Sequence, residues 1–79
     1  MKAIKKRSVV FNGKKTSISL EDEFWTAFDL IATVTGTPKR EMLTDLSKEH
    51  TNLSSAVRVA VLNYYVERAK MFEEITAAD

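Results

Sequence analysis

Residues 7–25, RSVVFNGKKTSISLEDEFW, set an Asn-Gly pair between two β-prone runs and lead straight into a helical pattern. The pair Asn12 and Gly13 tolerates the positive φ angles of a type I′ turn, so residues 9–11 are expected to fold back on residues 15–18 as a hairpin. Within residues 15–20 the alternation is strict: Lys15, Ser17 and Ser19 share one face, and Thr16, Ile18 and Leu20 the other. One face is wet and one is dry. A lone hairpin is marginally stable in water. This one needs a further partner, and the nature of that partner decides the function.

Downstream, Glu21, Asp22 and Glu23 supply the negative charge that favours a helix N-terminus, and Phe24, Phe28, Ile31 and Thr35 recur at spacings of three and four. Trp25, Leu30 and Ala32 widen that apolar face, which predicts a helix A over about 22–35. Gly36 suits the left-handed position after a helix, Thr37 suits the next N-cap, and Pro38 fits a first helical residue, where a missing N–H costs nothing. Helix B then runs over about 38–49, with Met42, Leu43 and Leu46 inward, until the polar break KEHTN. Asn52 or Ser54 caps helix C, about 53–74, whose apolar positions Leu53, Val57, Ala60, Val61, Tyr64 and Tyr65 cover more than one side. Such a helix packs both on its own chain and on a partner. The organisation expected is a basic arm over 1–8, one domain over 9–75 and a frayed tail over 76–79.

Composition narrows the function. A chain of 79 residues with no cysteine and one histidine has neither disulfides nor a thiolate metal site to reinforce its core. Its 44% hydrophobic content, with two glycines and one proline, is too apolar for disorder. An obligate dimer is the expected remedy for so thin a core. Six of the 12 basic residues, Lys2, Lys5, Lys6, Arg7, Lys14 and Lys15, fall in residues 1–16 with no acid, leaving six against all 11 acids in the rest. An arm of that kind suits a polyanion. No apolar run approaches a membrane span, and the start MKAIKKRS has charge without an apolar segment behind it, so a cytoplasmic protein is expected.

The order of these elements resembles the ribbon-helix-helix family of dimeric bacterial and phage DNA-binding proteins. KTSISLEDEFW is similar to that family's strand entering helix A, and GTPKREML to its helix A to helix B corner. RSV with Gly13, TSISLE and EFW, followed downstream by NLSSAVRVAVLNYY, resembles a bacterial subgroup with an additional C-terminal helix. The resemblance covers about residues 7–66. It implies a mainly α fold with a short N-terminal β-ribbon, an obligate intertwined dimer and an extra C-terminal helix. It further implies that the strand pairs with its copy in a second subunit and that the ribbon enters the DNA major groove. Lys15, Ser17 and Ser19 would then read bases, and Lys5, Lys6, Arg7, Lys14, Thr37, Lys39 and Arg40 would hold phosphates. Ile18, Leu20, Phe24, Phe28, Leu46 and Val57 would form the dimer core. Pro38 departs from the family's phosphate-binding helix start by removing one N–H. Segment VVFNG also departs from it: an intrachain hairpin strand and an extension of the intersubunit ribbon both fit.

The partners expected are double-stranded DNA and a second copy, with no cofactor, metal or membrane, and the role expected is that of a transcriptional repressor or autoregulator. Within the same fold an antitoxin is the alternative, although the chain ends in an apolar helix that belongs to the domain. An adaptor presenting Val59, Leu62 and Val66 of helix C to another protein is a second alternative, and a helix-turn-helix reader leaves the alternating strand without a role. Trp25, Phe28, Tyr64 and Tyr65 lie at helical spacing and read as packing residues. His50 has no second ligand at a useful spacing and is assigned nothing. No phosphate-cradling glycine loop, nucleophile with base, or metal cluster suggests an enzyme.

Overall fold

The computed structural model describes residues 3–77. Two antiparallel strands, β1 (Ile4–Phe11) and β2 (Lys14–Glu21), are followed by helices α1 (Asp22–Thr35), α2 (Lys39–Ser47) and α3 (Leu53–Ala77). The turn is the one the Asn-Gly pair predicts, with φ 51° at Asn12 and 74° at Gly13. Val9 pairs with Thr16, Arg7 with Ile18 and Lys5 with Leu20, so the ribbon of the protomer is an intrachain hairpin. The strand begins well before the expected one. Of the arm expected over 1–8, residues 4–8 are strand, and residues 1–2 lie outside the described residues.

The first helix starts on the acids Asp22 and Glu23 and ends at Gly36, which is left-handed with φ 69°. The N–H groups of Gly36 and Thr37 both return to the carbonyl of Ala32, closing the helix as a Schellman-type end. Because Thr37 is used in this way, Pro38 and not Thr37 is the N-cap of α2; its carbonyl accepts from the N–H groups of Glu41 at 3.0 Å and Met42 at 3.2 Å. Helix α2 is therefore one residue shorter at its start than expected, and Pro38 removes no N–H from its first turn. At the other end the N–H groups of Lys48 and Glu49 bond three residues back, which tightens the chain after Ser47. Asn52 caps α3, its Oδ1 accepting from the N–H of Ser55 at 3.1 Å. The helix continues to Ala77, past its expected end near 74; of the tail expected over 76–79, residues 78–79 lie outside the described residues.

The core gathers Phe11, Ile18, Leu20, Trp25, Phe28, Ile31, Leu43, Leu53, Val57 and Val61 between the hairpin and the three helices. Ile18, Leu20 and Val57 are fully buried and Phe28 nearly so, all within one protomer. The family resemblance assigns these four to a dimer core; within the protomer they are covered by β1, which brings Phe11 and Val9 to the inner face, and by α3, which closes the other side. Phe24 and Leu46, the other two members of that set, are half-buried at its margin. Apolar side chains left open include Ile4 and Val10 of β1, Leu30 and Val34 of α1, and Val59, Leu62, Val66 and Met71 of α3. Among the described side chains none beyond Val61 is buried, so the second half of α3 projects from the body. The radius of gyration is accordingly 14.3 Å, against about 12 Å for a compact chain of this length.

Candidate nucleic-acid interface

The pleat and the register divide the hairpin side chains into two sets. Ile18 and Leu20 are buried beneath the sheet, so Lys15, Ser17 and Ser19 project from its outer face. Across the ladder Val10 stands opposite Lys15, Ser8 opposite Ser17 and Lys6 opposite Ser19. Lys6, Ser8, Val10, Lys15 and Ser17 are all exposed, and Ser19 is half-buried. From Lys6 and Ser19 to Val10 and Lys15 the outer face is thus a patch of two amines and three hydroxyls, with Val10 65% exposed among them, and beyond Lys6 it ends at Ile4, 56% exposed, opposite Glu21.

The inner parity of β1 carries the other two basic residues expected in the phosphate set, and each is engaged. Lys5 Nζ lies 3.3 Å from Asp22 Oδ1, and its carbonyl accepts the indole N–H of Trp25 at 3.0 Å. The Arg7 guanidinium lies over the Trp25 ring, 4.7 Å from its centroid. Lys39 is bonded to Asp29 of α1, and Arg40 lines a cleft of about 290 Å³ with Arg7, Ser8, Val10 and Trp25. Lys14 is exposed beside the turn, and Thr37 is half-buried. The structure therefore brings Lys6 together with Lys15, Ser17 and Ser19 on one face, and Arg7, Lys39 and Arg40 around one cleft.

Two residues of α3 complete this geometry, and the sequence singles out neither for it. The N–H of Ser19 donates to Ser54 Oγ at 3.0 Å, and Arg58 donates from Nη2 to the carbonyl of Ser19 at 3.3 Å. Both polar groups of the Ser19 backbone are thereby taken by α3. Arg58 also donates from Nε to Glu21 Oε1 at 2.9 Å. A backbone N–H at Glu21 and then the Arg58 guanidinium hold the Glu21 carboxyl below its ordinary value of 4.5, against an opposing effect of burial. The acid nearest the outer face is therefore neutralised locally by a cation of α3. Sequence reasoning also misses the outward Ser8 and Val10, although the two-residue turn sets the register that places them.

The structure is thus a hairpin with a largely polar, basic outer face seated on three helices. The chain belongs to the ribbon-helix-helix family: the family model described as "Ribbon-helix-helix domain" matches residues 4–65. This is a family of DNA-binding regulators and not of enzymes. Neither the comparison with curated proteins nor that with solved structures gave a match. Among the described residues no helix is long and apolar enough to cross a membrane.

Proposed function

We propose that the protein is a dimeric, sequence-specific DNA-binding repressor or autoregulator that applies the outer face of its ribbon to the major groove. The observation that carries this reading is the outer face itself, where Lys15, Ser17 and Ser19 project beside Lys6 while the apolar partners of the same strand are buried. A lysine amine donates to guanine O6 and N7, and a serine hydroxyl donates or accepts with any base. Lys6, Lys14 and Arg40 serve phosphates in this scheme. Lys5, Arg7 and Lys39 are held by Asp22, Trp25 and Asp29 and contribute less.

The second copy covers the open apolar side chains of α1 and α3, since Leu30, Val34, Val59, Leu62 and Val66 are each between 39% and 65% exposed. A stable dimer interface buries on the order of 1,200–2,000 Å². The same exposure on α3 favours one other reading, an adaptor or antitoxin in which Val59, Leu62 and Val66 bind a different protein. Sedimentation of the pure chain, combined with selection of binding sites from random duplex DNA, tests both. A dimer that enriches an inverted repeat is the expected result. A monomer that enriches no sequence would replace this function with the adaptor reading.

A further inference from the structure

One edge of β1 takes no part in the hairpin. A two-residue turn makes Phe11 and Lys14 a hydrogen-bonded pair, so Val9 and Arg7 also exchange bonds with β2, and the N–H and C=O groups of Ser8 and Val10 point the other way, off the free edge. The cleft of about 290 Å³ opens beside that edge. Residues of both strand faces line it, Arg7 from the inner face and Ser8 and Val10 from the outer one, and its far wall is the first turn of α2, with Lys39 and Arg40. Three cations line the cleft and no acid does. Arg7 lies over Trp25 and Lys39 is paired with Asp29, whereas Arg40 makes no ion pair among the described residues.

We infer, building on the DNA-binding function proposed above, that this cleft is a phosphate site in which the edge N–H groups of β1 and the Arg40 guanidinium hold the DNA backbone at the rim of the major groove. The edge of a sheet presents N–H groups that bind anions, and arginine forks onto phosphate oxygens with two parallel bonds. Arg7 and Lys39, although engaged, keep the potential of the cleft positive. The order of strands agrees with this place. β1 occupies one edge of β2, so in the intersubunit ribbon that the family implies the partner's β2 adds at the other edge, and β1 becomes the outer strand on each side of a four-stranded sheet. Strands lie about 4.8 Å apart, which sets the two outer strands about 14 Å from each other, while the major groove is about 12 Å wide. The central pair enters the groove, and each β1 meets a phosphate backbone. An extended peptide added to the same edge draws its specificity from pockets for alternate side chains. The apolar residues behind the cleft, Trp25 at 3% exposure and Leu43 at 2%, leave it no such pocket.

The test uses the full-length chain and a duplex that it selects from random DNA. Each phosphate in turn is replaced by an uncharged methylphosphonate. Wild type should lose about tenfold in affinity at one phosphate on each side of the site, as expected when a charge-assisted hydrogen bond is removed. Arg40→Ala should lose about tenfold on the unmodified duplex and nothing further from that replacement, yet keep the wild-type loss at every other sensitive phosphate. Arg40 is exposed, and circular dichroism checks that the variant folds. In amide NMR spectra the signals of Ser8 and Val10 should move when the unmodified duplex is added, and move less with the duplex neutralised at that phosphate. If Arg40→Ala keeps the wild-type sensitivity at every phosphate, or if both amides stay in place while the unmodified duplex binds, the cleft holds no phosphate. Movement of the same amides with a short peptide of alternating glutamate and alanine, and not with the duplex, would make the edge a peptide site instead. If wild type binds no duplex at all, the DNA-binding function itself fails and this site with it, which is a separate and recognisable result.

Discussion

The indole Nε1 of Trp25 donates to the carbonyl oxygen of Lys5 at 3.0 Å, and this bond fastens β1 to the first turn of α1. The same ring carries the Arg7 guanidinium on its face. Trp25→Phe keeps an aromatic ring and removes the bond, so it should cost about 0.5–1.5 kcal/mol of stability, with a further small loss from the weaker cation–π contact. Urea unfolding followed by far-ultraviolet circular dichroism checks the value; an unchanged midpoint would mean that β1 is held by its ladder alone.

Ile18 sits at 0% exposure beneath the ribbon. Ile18→Ala should destabilise the chain by about 2–5 kcal/mol, a large fraction of what so small a domain has, and Ile18→Asp should abolish folding. Ser17→Ala, one position away on the outer face, should leave stability within about 0.5 kcal/mol of wild type. Equal effects at the two positions would contradict the two-faced hairpin.

Salt dependence separates the two parities of β1. Lys6→Ala should lower the magnitude of the slope of log K against log salt by about 0.9 for each phosphate that Lys6 neutralises, and should weaken binding to all sequences alike. Lys5→Ala should leave the slope close to wild type, since the amine of Lys5 is paired with Asp22. A larger slope change at Lys5 than at Lys6 would show that the ribbon presents its other face to DNA.

The Glu21 carboxyl titrates below its ordinary value because a backbone N–H and Arg58 bond its charged form. A carboxyl whose pKa is lower in the folded than in the unfolded chain stabilises the fold above the unfolded value, and that contribution is lost as pH falls through the folded value. Relative to Glu21→Gln, wild type should therefore keep a constant advantage above the ordinary value of 4.5 and lose it in more acidic solution. The advantage is small, since Arg58 and Glu21 are about one-third exposed, at 32% and 34%. Urea midpoints of the two proteins between about pH 3 and 7 show whether the gap closes.

The parts of this fold that are legible in the sequence are those governed by neighbours in the chain. Asn12 and Gly13 announce their turn, Gly36 the end of α1, and the alternation from Lys15 to Leu20 the buried and open faces of β2. Residues 4–8 read as an arm because Lys5, Lys6 and Arg7 look like solvated charge. Their strand depends on Trp25 and Asp22, far along the chain in α1, which accept Arg7 and Lys5. Distance in the chain hides the role of α3 in the same way. Nothing local to Ser54 or Arg58 indicates that they bind the backbone of Ser19, and so the closed edge of β2 emerges only from the folded chain.

That closure spans sequence separations of 35 residues for Ser54 and 39 for Arg58, whereas the hairpin joins residues across a two-residue turn. Bringing distant segments together costs loop entropy that a tight turn does not, and hairpins form within microseconds. Clamping of β2 by α3 is thus the late event in the simplest order of assembly. An interaction that forms late governs the way out of the native basin more than the way in. Ser54→Ala should accordingly raise the unfolding rate and leave the refolding arm of the chevron nearly in place, giving the edge of β2 a lifetime set by how often α3 lets go.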